Sequence, residues 1–214
     1  MIKKIDNKKK INNIVNIQSK QTKENIILSN MDGYFEERFY YSDYYDNAKM
    51  NKFIKKVENM VRKSNEYSRY IGFLKNELGL TSCAVLGNVT QEDATIEFHH
   101  YPFTLFDIVT LAVHRKIIKE ENFNSFSITK EVIKDHYENI IGLTPLSVTI
   151  HELVHAGEIF INLNQVYGDI NSFVEKYNIA LNDEMIDKFN RLVDFSEKNI
   201  KYSESDILKK TYDM

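Results

Sequence analysis

Cysteine and proline are scarce in this chain of 214 residues, and their scarcity excludes several kinds of protein. Cys83 is the single cysteine, so an intrachain disulfide and a zinc site made of several cysteines are both excluded. Two prolines and seven glycines favour long regular elements over a loop-rich β fold. No apolar run approaches the roughly 20 residues that a membrane-spanning helix needs, and residues 1–6 lack the apolar stretch of a secretory signal. We therefore expect a cytoplasmic protein in a reducing compartment, with no membrane partner.

Length and charge set the domain organisation. With 43% hydrophobic residues, the chain can bury one substantial core. The net charge of -3 does not by itself indicate a nucleic-acid-binding protein, although residues 1–23 are rich in lysine. We predict a polar, lysine-rich leader over residues 1–30, a single domain over residues 31–200 and a polar tail over residues 201–214.

Apolar periodicity predicts a mostly helical domain. Helices are expected over residues 48–78, 105–119, 128–141, 171–177 and 183–199, with a further helix beginning near residue 148. Two short segments, residues 82–86 and 94–100, predict an antiparallel hairpin. Residues 142–147 are expected to be extended, because Pro145 disfavours helix. The predicted fold class is α+β, mostly α-helical with a small antiparallel hairpin.

Two histidines four residues apart are the most informative feature of the chain. His151 and His155 project from one face of the helix predicted near residue 148, where they can share a metal ion. Taken alone, the segment has the H-E-x-x-H pattern of zinc peptidases, in which Glu152 activates a water molecule. A peptidase needs a third ligand from downstream, and the candidates are Glu175, Glu158 and Asp169.

A second histidine pair lies upstream, in the segment Glu97-Phe98-His99-His100-Tyr101-Pro102. Together with the segment from Gly142 to His151 and the helical pair that it leads into, this segment resembles the HNH, or ββα-metal, endonuclease family. The resemblance covers residues 97–102 and 142–157, and it implies a ββα-metal-like core within residues 82–157.

The resemblance implies a metal-dependent endonuclease that hydrolyses phosphodiester bonds in nucleic acid, which would be its partner. By that resemblance, His100 is the general base, and His99, His151 and His155 bind a divalent metal ion. Neutral imidazoles fit zinc or another transition metal better than magnesium, which prefers oxygen ligands.

Two alternatives to the nuclease interpretation stay open. One is a zinc metallopeptidase that uses His151, Glu152 and His155. The other is a non-catalytic metal-binding or interaction protein. His136, on the helix predicted over residues 128–141, is a further candidate for the metal site, whereas His114 is expected to be structural. The oligomeric state does not follow from the sequence.

Overall fold

The computed structural model describes residues 38–199, so the predicted leader and tail lie outside the described residues. Within this range the chain forms seven α-helices and two β-strands. In chain order they are α1 (Asn47–Lys63), α2 (Asn65–Asn76), β1 (Ile96–His100), α3 (Leu105–Ile118), α4 (Ser125–Tyr137), β2 (Leu143–Ser147), α5 (Val148–His155), α6 (Ile170–Tyr177) and α7 (Asp183–Asn199). The fold is therefore α+β and mostly helical, as predicted.

The single helix predicted over residues 48–78 is two helices, α1 and α2. Ser64 separates them because its backbone is extended and its side-chain oxygen accepts a hydrogen bond from the backbone N–H of Tyr67. This is an N-cap, which begins a new helix and ends the previous one. The apolar periodicity continues across the break, so the sequence pattern alone does not reveal it.

The sheet consists of β1 and β2, which pair in antiparallel register with His99 opposite Thr144 and His100 opposite Leu143. The predicted pairing of β1 with residues 82–86 is wrong. Those residues belong to a compact loop closed by an isolated bridge between Ser82 and Thr90. The loop packs its apolar residues inward, which explains why residues 82–86 resemble a strand in sequence.

Two apolar cores hold these elements together, with a third small cluster in which Tyr70 and Leu74 of α2 pack against Leu143 of β2. The larger core joins α1, α3, α4 and α6, with Phe53, Ile108 and Val132 among its buried members. The smaller core joins the sheet, α5 and α7 through Leu146, Ile150 and Leu192. None of the helices in the described range is both long enough and apolar enough to cross a membrane.

A buried ionic group ties α4 to α6 inside the larger core. The carboxylate of Asp135 accepts a hydrogen bond from the Tyr177 hydroxyl at 2.5 Å and forms an ion pair with Lys176. Burial raises the pKa of Asp135 to about 6, although Lys176 opposes this shift. Each oxygen of the Asp135 carboxylate therefore has a partner, and the group has a structural role in joining α4 to α6.

Candidate metal centre

Three histidines from distant parts of the chain lie side by side, and we refer to His99, His151 and His155 as the three-histidine cluster. His99 is on β1, whereas His151 and His155 are on α5, which begins directly after β2. The four-residue spacing places both α5 imidazoles on one helix face. Because β2 pairs with β1, this face of α5 is brought against the strand that carries His99.

The geometry of the cluster suits a shared cation. One ligand nitrogen from each histidine lies within 4.8 Å of the other two. The Nε2 atoms of His151 and His155 are 3.0 Å apart, and two nitrogens that each lie about 2 Å from one zinc ion are separated by about 3 Å. The His99 ring centroid is 4.8 Å from that of His151 and 4.7 Å from that of His155. The three residues that the sequence predicted as metal ligands are therefore brought together.

Glu97 orients one of these rings, and the sequence reasoning missed it. Its carboxylate is 2.7 Å from Nδ1 of His151, so Nδ1 carries the proton and donates it. The lone pair of His151 then lies on Nε2, the atom that faces His155. A carboxylate that fixes the tautomer of a ligand in this way is typical of metal-binding histidines. Strand alternation could have identified Glu97, because it lies two residues from His99 on the same face of β1.

The surroundings of His99 and His155 favour the neutral imidazole, which has the free lone pair that a metal needs. Burial, together with the neighbouring His151 and His155, lowers the pKa of His99 to about 3. Burial also lowers the pKa of His155, and the nearby His151 adds to the shift. At neutral pH both side chains can coordinate a cation without first losing a proton.

His100 lies on the opposite face of β1 from His99 and is buried in the core. Its Nε2 is 3.0 Å from Nε2 of His136, whose Nδ1 is 2.7 Å from the backbone oxygen of Val132. His136 therefore donates from Nδ1 and accepts at Nε2 the proton that His100 donates. Tyr67 stacks on the His100 ring. His136 thus pairs with His100 in the core and takes no part in the three-histidine cluster.

The residues that the peptidase interpretation needs are not assembled. Glu152 is exposed on α5. Within residues 38–199 the three-histidine cluster is the one group of potential metal ligands, and its third member is His99 rather than Glu175 or Glu158. The remaining candidate, Asp169, caps the N-terminus of α6 through Ser172. His114 packs edge-on against Tyr44, as expected for a structural histidine.

A cavity of about 490 Å³ opens beside the cluster. His99 and His155 line one side of it, and apolar side chains of α5, α7 and the segment between α5 and α6 line much of the rest. Lys188 and Arg191, three residues apart on α7, add two exposed cations to the wall. Nothing in the sequence indicated a functional role for either cation, because α7 has the pattern of an ordinary amphipathic helix.

The comparisons with known proteins identify one family. The model for the bacteriophage G278-like virion protein family matches residues 1–214, which is the whole chain. No curated protein matches the chain, and no solved structure matches it.

This match overturns the resemblance to HNH endonucleases. The predictions of a nuclease, of hydrolase activity on phosphodiester bonds and of a cytoplasmic location were wrong, because the family consists of virion proteins. The general-base role given to His100 belonged to that interpretation and is abandoned with it. The resemblance covered only two short segments, and histidines that converge around a cation serve structural sites as well as hydrolytic ones.

Proposed function

The chain belongs to the bacteriophage G278-like virion protein family, and from that premise we propose that it is a non-catalytic component of the phage particle that binds a transition-metal ion. The ligands are His99, His151 and His155. The observation that carries this proposal is their convergence, supported by the hydrogen bond from His151 to Glu97. The bound ion serves to hold the protein's structure.

The chemistry of the ligands favours zinc. Three neutral imidazoles suit zinc and other first-row transition metals, whereas magnesium and calcium prefer oxygen ligands. Zinc is commonly four-coordinate, so three histidines leave one position for a further ligand. Glu97 already binds His151 Nδ1, which makes it a supporting group rather than the fourth ligand.

A metal at this place would join two elements that lie far apart in the sequence. His99 is part of the sheet, and His151 and His155 belong to α5, a helix of only eight residues. Ile150 is the buried residue of that helix, and Leu153 and Val154 pack against the smaller core while staying partly exposed. Coordination would fix α5 against β1.

The placement of His100 supports a non-catalytic role. His100 is among the residues that line the cavity, but its imidazole is buried and its Nε2 is hydrogen-bonded to His136 in the core. A general base must reach the water or group whose proton it takes. Nucleic acid, the partner predicted from the sequence, stays a prediction.

We expect the purified protein to bind zinc and to gain stability from it. Addition of Zn²⁺ at about 100 times its dissociation constant adds about 3 kcal/mol to the free energy of unfolding, which raises the melting temperature of the metal-free protein by roughly 5–10 °C. Calorimetry measures this shift. The double variant His151→Ala, His155→Ala should lose it, and both side chains are accessible enough to be replaced without opening the core.

Glu152→Gln is the matched control, because Glu152 lies between the two ligands and is exposed. This variant should bind zinc and gain stability like the parent protein. An equal zinc-induced shift in the double-alanine variant would refute the metal site. Zinc-dependent nicking of plasmid DNA that disappears in His100→Ala would refute the non-catalytic role.

A further inference from the structure

The cavity beside the three-histidine cluster combines apolar walls with two cations. Ile159, Phe160 and Leu192 supply apolar surface, and Phe160 remains 44% exposed although it packs near Phe195. Lys188 and Arg191 line the same cavity, and no ion pair joins either of them to another residue of the described range. The site therefore offers apolar surface and positive charge together.

A metal in the cluster adds to this positive charge. Three neutral imidazoles would leave the full 2+ charge of a zinc ion uncompensated, and two of its three ligands, His99 and His155, line the cavity. Lys188 is close enough to His99 to interact with it electrostatically. An anionic oxygen ligand would satisfy the ion and the two cations together.

We propose that this cavity receives a glutamate or aspartate side chain, together with an adjacent apolar residue, from a neighbouring protein of the phage particle. The carboxylate fills the fourth position on the metal and pairs with Lys188 and Arg191, and the apolar residue packs against Phe160 and Leu192. The proposal rests on the proposed function, since it requires the metal in the three-histidine cluster.

The charge pattern favours a protein segment over nucleic acid. Lys188 and Arg191 lie on a helix that is otherwise mostly acidic. Its other charged residues are one lysine, Lys198, and five acidic residues: Asp183, Glu184, Asp187, Asp194 and Glu197. The whole chain has a net charge of -3. A polyanion would be repelled outside the cavity, whereas one carboxylate flanked by an apolar side chain matches the cations and the walls.

Cobalt replaces zinc in the test, because tetrahedral Co²⁺ has visible absorption bands that respond to its ligands. The probe is acetyl-Phe-Glu-amide, added to the Co²⁺-loaded protein at millimolar concentration. We expect it to change the visible spectrum saturably, and we expect acetyl-Phe-Gln-amide to leave the spectrum unchanged. In the variant Lys188→Gln, Arg191→Gln the dissociation constant of the acidic probe should rise about fivefold or more, whereas Lys130→Gln, an exposed lysine on α4, should bind as the parent does.

The outcomes separate the two proposals. If the protein takes up no Co²⁺, the proposed metal site fails. If Co²⁺ binds but the acidic probe does not alter its spectrum, only the docking proposal fails. The docking proposal is also overturned if the glutamine probe acts equally, or if a thymidine oligonucleotide changes the spectrum at a lower concentration than the acidic probe does.

Discussion

The proton positions of the buried histidines follow from the groups that they contact. His136 must donate from Nδ1 because the Val132 carbonyl oxygen only accepts, and its Nε2 is then left to accept from His100. Burial favours the neutral form of both rings, so one donor and one acceptor face each other across the 3.0 Å between the two Nε2 atoms. Burial lowers the pKa of His136 to about 4. Protonation of this ring should therefore oppose folding.

His136→Gln should remove part of the protein's sensitivity to acid. In the folded state the pKa of His136 is about 4, compared with about 6.5 in an unfolded chain. The unfolded state therefore binds more protons between these values, and stability falls as the pH drops from about 6.5 to about 4, by as much as ~3 kcal/mol in total. Glutamine can accept from His100 without titrating.

Urea unfolding at several pH values, with a chelator present, measures this effect. The parent protein should lose more stability than His136→Gln between pH 6.5 and pH 4. Asp135, whose pKa burial raises to about 6, contributes with the opposite sign in both proteins and so cancels in the difference. Parallel stability curves for the two proteins would contradict the prediction.

The three histidines of the cluster could be predicted from the sequence, whereas the contacts that other residues make around them could not. The helical spacing of His151 and His155 and the strand position of His99 follow from local periodicity, and the structure brings these three together. The pairing of His100 with His136 depends on how α4 packs against β1, which no local pattern encodes. The contribution of Lys188 depends in the same way on where α7 lies.

At the scale of elements, the start of β2 depends on a very close approach of two backbone segments. A Cβ atom built on Gly142 would lie 2.0 Å from the backbone oxygen of Tyr101 and 3.0 Å from Cγ1 of Val166. The Gly142 carbonyl oxygen also accepts a hydrogen bond from the backbone N–H of Tyr101 at 3.0 Å. Glycine is therefore required here for space, at the point where β1 and β2 come together.

Gly142→Ala should destabilise the protein and weaken the proposed metal site. The added methyl group must displace the Tyr101 backbone, at a cost of about 1–3 kcal/mol. Because Tyr101 follows β1, the displacement also moves the strand that carries His99, and zinc affinity should fall. Chemical denaturation and zinc titration measure the two effects.

Gly72→Ala gives the matched control of opposite sign. Gly72 lies within α2, and a Cβ atom there would have no neighbour within 4 Å. Alanine is favoured over glycine inside a helix, so this variant should gain about 0.5–1 kcal/mol. Equal stability changes in the two variants would mean that close packing at Gly142 is not what requires glycine there.

Helices were easier to predict from the sequence than the pairing of strands, and the reason is physical. A helix is defined by contacts within one segment, and α7 begins at the residue that its periodicity predicted. A strand is completed by a partner that can lie anywhere in the chain. The partner of β1 is separated from it by α3 and α4, so the nearer apolar segment at residues 82–86 was chosen wrongly.

At the scale of the whole molecule, the larger and the smaller core have different roles. The larger helical core contains most of the buried apolar residues and supplies stability. The smaller core positions the sheet, α5 and α7, whose side chains form the cluster and line the cavity. The site lies at the margin of the smaller core and opens to solvent, which suits contact with another protein of a phage particle.

Removal of metal should loosen the protein's attachment to the particle. Particles purified on a density gradient should contain the chain, as family membership implies, and mass spectrometry can quantify it relative to the other particle proteins. If a bound ion helps to join two proteins, a chelator removes the free energy of its coordination from the interface.

EDTA should then lower the amount of chain per particle, and particles carrying His151→Ala and His155→Ala should contain less of it from the start. Full retention of the chain in both cases would show that attachment does not depend on the metal, and absence of the chain from purified particles would contradict its role as a virion component.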